Sequence, residues 1–173
     1  MKTARSVTRE TTPAPAGTIV LDFAHRQKHR FLATLADGRE LGVHLPRGTV
    51  LADGDLLRTE DGETILVRAA DEELSVAEAS DPVLLTRVAY HLGNRHVALQ
   101  IEAGRVTYLH DHVLDDMVRR LGAAVSFRSA PFRPESGAYG GHTGSHDGHH
   151  DHSHGHQHSH PRIHDHAHGV KKS

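Results

Sequence analysis

Short runs of alternating apolar and polar residues fill the chain from residue 18 to about residue 70. In residues 40–45, for example, Leu41, Val43 and Leu45 fall on one face of an extended segment, as in a half-buried strand. Asp-Gly pairs separate these runs, and such pairs favour tight hairpin turns. The pattern predicts a small antiparallel barrel or sandwich over residues 18–71. Residues 1–17, which end in a run of proline, alanine and glycine, are predicted to be a flexible lead-in.

Helical periodicity is confined to the second half of the chain. A first helix is predicted to open on Asp81 and Pro82 and to end at Gly93, and a second is predicted over residues 111–121. Strand-like segments at 74–79, 97–101, 105–109 and from 124 onward flank the helices, and residues 71–73 are predicted to be a linker. The order β-α-β-β-α-β predicts a ferredoxin-like domain over residues 72–134, and the whole chain is predicted to be α+β.

Composition narrows the chemistry that this chain can perform. It has no cysteine, which excludes disulfides, thiolate metal sites and cysteine nucleophiles. The formal net charge of -2 gives no electrostatic reason to expect nucleic acid or an anionic membrane as partner. No segment reaches the roughly 20 apolar residues of a membrane span, and the N-terminus lacks the pattern of a signal peptide. We therefore expect a cytoplasmic location.

Residues 135–173 have a composition of their own, dominated by His, Gly, Ser and Asp. Such a segment has too little apolar surface to fold alone, so it is predicted to be a disordered metal-binding tail. Neutral imidazole suits Ni²⁺, Zn²⁺ and Cu²⁺, and the metal capacity of the tail should fall below about pH 6. The tail histidines predicted to bind metal are His142, His146, His149, His150, His152, His154, His156, His158, His160, His164, His166 and His168.

Four histidines lie on the predicted ferredoxin-like domain. His96 follows the end of a helix and opens a strand, which leaves its ring free; a single histidine cannot hold a metal tightly, so a two-fold dimer would supply a second His96. His110 and His112 are two residues apart, and on an extended segment both rings point to one side. Each could instead be an ordinary surface histidine, and His91 could simply interact with the C-terminal end of its helix.

Two motifs surround these histidines: residues 90–96, Tyr-His-Leu-Gly-Asn-Arg-His, and residues 108–117, Tyr-Leu-His-Asp-His-Val-Leu-Asp-Asp-Met. Both segments resemble the UreE family of urease accessory nickel metallochaperones. Residues 45–49 and 53–55 also match, and the resemblance spans roughly residues 18–134. It implies an N-terminal β domain that binds a partner or peptide, and a homodimer in which His96 of each subunit shares nickel. His110 and His112 match a second, peripheral pair, and the tail is implied as a further source of ligands.

The function that the resemblance implies is a chaperone for nickel, not an enzyme. The protein would bind Ni²⁺, with Zn²⁺ and Cu²⁺ as competitors, and donate it to apo-urease while the urease metallocentre is assembled. The implied partners are a second copy of the chain, the urease accessory GTPase and the apo-urease activation complex. One alternative is a general nickel or zinc store without a urease client, and another is a peptide-binding chaperone with an incidental metal site. A metal-dependent hydrolase is disfavoured, because no HExxH-like arrangement or nucleophile motif accompanies the histidines.

Overall fold

A computed structural model describes residues 2–8 and 14–136 of the chain. The first strand, β1, spans Lys2–Thr8. It is followed by β2 (Gly17–Leu21), the short helix α1 (Phe23–Arg26), β3 (Arg30–Thr34), β4 (Glu40–His44), β5 (Leu56–Thr59) and β6 (Thr64–Ala69). These six strands form one sheet in the order β2-β6-β5-β1-β4-β3. The pairs β1–β4 and β2–β6 are parallel, so the sheet is mixed rather than wholly antiparallel.

The strand β1 corrects the prediction of a flexible lead-in over residues 1–17. It lies inside the sheet, between β4 on one side and β5 on the other. Ala4 has no exposed surface and belongs to the core that the sheet encloses. At the surface, Lys2 Nζ lies 2.7 Å from Asp61 Oδ2 and lowers the pKa of that carboxyl to about 2. The rest of the predicted lead-in includes residues 9–13, which lie outside the described part of the chain.

The second half of the chain forms a four-stranded antiparallel sheet with two helices. Its elements are β7 (Asp71–Glu78), α2 (Pro82–Gly93), β8 (Gln100–Glu102), β9 (Arg105–Leu109), α3 (His112–Leu121) and β10 (Ala124–Pro131). The strand order β10-β7-β9-β8 gives the βαββαβ arrangement, so the predicted ferredoxin-like fold and the α+β class are confirmed. Both helices pack on one face of this sheet, where Val88, Leu92 and Val118 are buried.

The predicted linker at residues 71–73 is the beginning of β7. Asp71, Glu72 and Glu73 pair with the last three residues of β10, so this segment is held in the sheet by ladder hydrogen bonds. Only Ala70 separates β6 from β7. Both sheets belong to a single compact unit.

A cluster of aromatic and charged residues joins the two sheets. Phe23 and Phe132 meet edge to face with ring centroids 5.2 Å apart, and the backbone N–H of Phe23 donates to Glu72 Oε2 at 3.0 Å. Arg26 is buried and donates to the carbonyl oxygen of Phe132, and its guanidinium also lies against the Phe23 ring. Asp53 accepts a hydrogen bond from Arg133 at 2.8 Å. These contacts tie the segment after β10 to the first sheet.

No helix in the described part of the chain is long and apolar enough to cross a membrane. The predicted metal-binding tail, beyond its first two residues, lies outside the described residues, and so do all twelve of its candidate ligands.

Candidate metal centre

The helix that leads to His96 is built by ordinary local signals. Asp81 accepts a hydrogen bond from the backbone N–H of Val83 at 2.9 Å and caps the N-terminus of α2, and Pro82 follows at the first helical position. Val88 and Leu92 are buried at helical spacing, which holds the C-terminal turn of α2 against the sheet. The position of His96 therefore follows from the packing of α2.

The end of α2 differs from the prediction. Gly93 is still helical, and the residue with a left-handed backbone is His96, with a φ of 58°. The His96 N–H donates to Gly93 O at 2.9 Å, and the Val97 N–H donates to Leu92 O at 3.3 Å. These two bonds have the spacing of a Schellman motif, in which glycine usually occupies the left-handed position. The exposed His96 therefore occupies a backbone conformation that most side chains avoid.

The strained backbone at His96 predicts an unusual order of stability among its variants. Glycine adopts a positive φ freely and alanine does not. The free energy of unfolding of His96→Gly should therefore be about 1 kcal/mol higher than that of His96→Ala. Urea denaturation of the two variants measures this difference. Inside a helix the order is reversed, so Gly93→Ala is the matched control and should be more stable than the wild-type protein. Equal stability of His96→Gly and His96→Ala would show that the left-handed conformation costs nothing.

The segment after His96 is fixed by the chain that follows β10. The predicted strand at residues 97–101 is wrong in its first half, since pairing with β9 begins only at Gln100. The Val97 N–H closes the helix instead, and Leu99 O accepts a hydrogen bond from the Glu135 N–H at 2.7 Å. The Arg133 N–H donates to Gln100 Oε1 at 3.1 Å. Residues 132–135, which we call the strap, thus lie beside the segment that carries His96.

His110 lies between β9 and α3 and is anchored through one nitrogen. Its Nδ1 lies 3.1 Å from Ser75 Oγ and 3.1 Å from Asp115 Oδ2, and its ring meets Phe127 edge to face. Asp115 is 1% exposed, and its other oxygen accepts a hydrogen bond from the Tyr108 hydroxyl at 2.8 Å. Burial, and then the hydrogen bond to Asp115, raise the pKa of Tyr108, so this hydroxyl stays protonated and donates.

His112 is the first residue of α3 and is exposed. Asp111, between the two histidines, has an extended backbone with φ −149° and ψ 118°. Its carboxylate accepts hydrogen bonds from the N–H groups of Val113 and Leu114 at 2.8 and 3.1 Å, and these bonds lower its pKa. Asp111 is therefore engaged as the helix cap.

Within the described residues, no three His, Asp or Glu side chains are grouped so as to hold a metal ion. His96 stands at the end of α2, and His110 and His112 flank the start of α3. His91 is half-buried near the end of α2, with its ring against that of Tyr90. A metal bound at any of these histidines would need ligands from another chain, from the tail or from solvent.

Sequence reasoning missed the residues beneath His110. An acid in the first turn of a helix, such as Asp115, already has a local explanation in the helix dipole. One feature of the sequence does indicate that Asp115 is buried. It lies three residues before Val118, and that spacing places both side chains on the same, buried side of the helix. Ser75 and Tyr108 are directly paired across β7 and β9, which places both side chains on the same face of the sheet.

Comparison with known proteins identifies matching family models and relatives of this chain. The models of the N-terminal and C-terminal domains of UreE urease accessory protein match residues 2–70 and 72–160. The chain is 53% identical over 131 residues to the urease accessory protein UreE of Proteus mirabilis, covering 76% of this chain and 81% of that protein. It is 56% identical over 132 residues to the protein of the same name from Alkalilimnicola ehrlichii, covering 76% and 80%. For the Vibrio parahaemolyticus protein of that name, identity is 54% over 123 residues, covering 71% and 77%.

Proposed function

This chain belongs to the UreE family of urease accessory proteins, and from that premise we propose that it binds Ni²⁺ and donates it to apo-urease during assembly of the urease metallocentre. The family consists of accessory proteins in urease maturation rather than enzymes. Nickel is thus cargo for this protein and not a resident cofactor. Zn²⁺ and Cu²⁺ are expected to compete for the same imidazole ligands.

The observation that carries this proposal is the placement of His96. Its exposed side chain stands on a left-handed residue at the end of a well-packed helix. One imidazole provides one ligand, and no group of three or more His, Asp or Glu side chains that could hold a metal ion is found among the described residues. In a homodimer, a two-fold axis next to His96 would bring two such rings together. A site with two protein ligands leaves coordination positions open, which suits an ion that must be passed on.

The strap, from which the tail continues along the chain, lies beside the segment that carries His96. Glu135 is bonded to Leu99, which is three residues from His96 in the sequence. His142, the first tail histidine, follows Ser136 by six residues, and six extended residues span up to about 20 Å. We propose that the tail captures Ni²⁺ and passes it to His96.

His110 and His112 are proposed as a second, peripheral position for the metal. The carboxylate beneath His110 is typical of histidines that bind metals, because a partner on one ring nitrogen orients the other. We propose that the first sheet binds a partner or a peptide. We also propose that the complex with the accessory GTPase and apo-urease forms in the cytoplasm. The nearly balanced charge of the chain favours neither a nucleic acid nor a membrane partner.

The twelve histidines of the tail favour one rival function, a nickel or zinc store without a client. Activation of purified apo-urease separates the two. With the accessory proteins present and free Ni²⁺ held low by a chelator, the nickel-loaded protein should raise urease activity well above an equal amount of nickel offered without it. A store would instead lower activation by withholding the metal. The control is the same protein, with His96 and the tail intact, loaded with Zn²⁺ instead of Ni²⁺. It measures effects that are unrelated to nickel.

A further inference from the structure

We propose that Asp115 is the positioning residue for His110: it fixes this histidine as the Nδ1–H tautomer and so makes Nε2 the nitrogen that binds metal. This inference rests on the proposed function, since it concerns the peripheral position.

With Asp115 as a carboxylate, its contacts leave one consistent arrangement of protons. The hydroxyl of Tyr108 donates to Asp115 Oδ1 at 2.8 Å, and Asp115 Oδ2 lies 3.1 Å from His110 Nδ1. A carboxylate oxygen repels an unprotonated ring nitrogen at this distance and attracts an N–H group. Nδ1 therefore carries the proton. A neutral imidazole has only one such proton, which leaves the lone pair on Nε2.

The surroundings of the ring direct Nε2 outward. Ser75 and Asp115, which contact Nδ1, are both buried, whereas the His110 side chain is 37% exposed. His110 also lines a groove of about 340 Å³ whose walls include Glu73 and Phe127. The Phe127 ring stands nearly perpendicular to the imidazole, with centroids 5.0 Å apart. Contacts on Nδ1 and on the ring restrict its rotation, so Nε2, which has neither of these buried partners, is the nitrogen left to bind an ion.

The tautomer can be measured directly in the full chain without metal. Two-bond ¹H–¹⁵N correlation spectra of protein with ¹⁵N-labelled histidine distinguish Nδ1–H from Nε2–H, and the spectrum of His110→Gln identifies the His110 signals. At a pH where His110 is neutral, we expect a predominant Nδ1–H tautomer. The tail imidazoles should show mainly the Nε2–H tautomer of free histidine. A predominant Nε2–H tautomer at His110 in the wild-type protein would overturn the inference.

Asp115→Asn provides the sharpest variant, because it keeps the size and shape of the side chain. The amide oxygen of asparagine still accepts from Tyr108, which turns the amide NH₂ group toward His110 Nδ1. Nδ1 must then accept, so the proton moves to Nε2 and blocks that lone pair. We expect the His110 tautomer to reverse. Asp116→Asn is the matched control, because Asp116 is an exposed neighbour on the same helix that pairs with Arg119 at 3.3 Å.

A Zn²⁺ titration of the same samples reads the consequence for metal binding. Zn²⁺ is diamagnetic, so the shift of the His110 signals can be followed, and the tail competes equally in every variant. We compare the Zn²⁺ concentration at which half of the change in the His110 signals has occurred. This concentration should rise about 10- to 100-fold in Asp115→Asn and stay unchanged in Asp116→Asn. If wild-type His110 does not respond to Zn²⁺ at all, the peripheral site itself is wrong. If wild type and Asp115→Asn respond alike, the site stands and the role of Asp115 is wrong.

Discussion

A His96→Ala variant is expected to lose the tight nickel site that we propose two subunits share, while its fold stays intact and its tail still binds metal. The variant removes both imidazoles of the proposed dimer site at once, because a two-fold axis repeats every substitution. Calorimetry should therefore record the loss of one Ni²⁺ per dimer rather than a modest change in affinity. The weaker binding by the tail histidines should persist.

The experiment is best done in two backgrounds, the full chain and a chain that ends at Ser136, the last residue that the structure describes. In the shorter chain no tail histidine remains, so the shared site is the tightest one left to observe. His91→Ala is the matched control, since His91 lies five residues earlier, at the end of the same helix. Two outcomes count against the shared site: tight binding that survives His96→Ala in the shorter chain, or tight binding that disappears when the tail is removed.

An Ala4→Asp variant is expected to destabilise the first sheet severely. Ala4 is completely buried and pairs with Val43 on one side and with Thr59 on the other, so the new carboxylate would enter the core without a partner. An uncompensated buried charge costs about 3–5 kcal/mol, which is a large part of the stability of an ordinary domain. Urea unfolding followed by circular dichroism measures the loss.

Ser6→Asp is the control for this variant, because Ser6 lies on the same strand and is exposed. It should change the free energy of unfolding by no more than about 0.5 kcal/mol. If Ala4→Asp were as harmless as Ser6→Asp, residues 2–8 would behave as a flexible lead-in rather than as a strand inside the sheet.

The second sheet was predictable because its signals are local. Asp81 and Pro82 mark the start of α2, Asp111 marks the start of α3, and apolar residues recur at helical spacing in both. The strand β1 gave no comparable signal. Its sequence, Lys-Thr-Ala-Arg-Ser-Val-Thr, contains two apolar residues, and only Ala4 is fully buried. Its place in the sheet is decided by the strands on either side of it, and their contribution cannot be read from seven residues.

The candidate site likewise contains features that have a local sequence signal and features that depend on the packing of distant elements. The position of His96 at a helix end could be predicted, but its left-handed backbone could not, because Gly93 is the residue that the capping rule selects. The hydrogen bonds of Val97 and His96 move the end of the helix further along the chain, and they depend on how α2 packs. Asp115 was overlooked because its charge has a local explanation in the helix dipole. Its contacts with Tyr108 and His110 exist only once β9 and α3 are packed together.

The interior position of β1 also sets an order of events during synthesis on the ribosome. This strand is made before both of its partners, which are Leu41–Val43 of β4 and Leu56–Thr59 of β5. The sheet cannot close around β1 until at least Thr59 has left the exit tunnel, so the first strand must wait for about 50 residues. Until then its unpaired backbone groups face solvent, which is a risk for non-native pairing. The polar composition of β1 is the reason that the sequence gives no clear strand signal there. The same composition keeps the nascent segment soluble until its partner strands have been made.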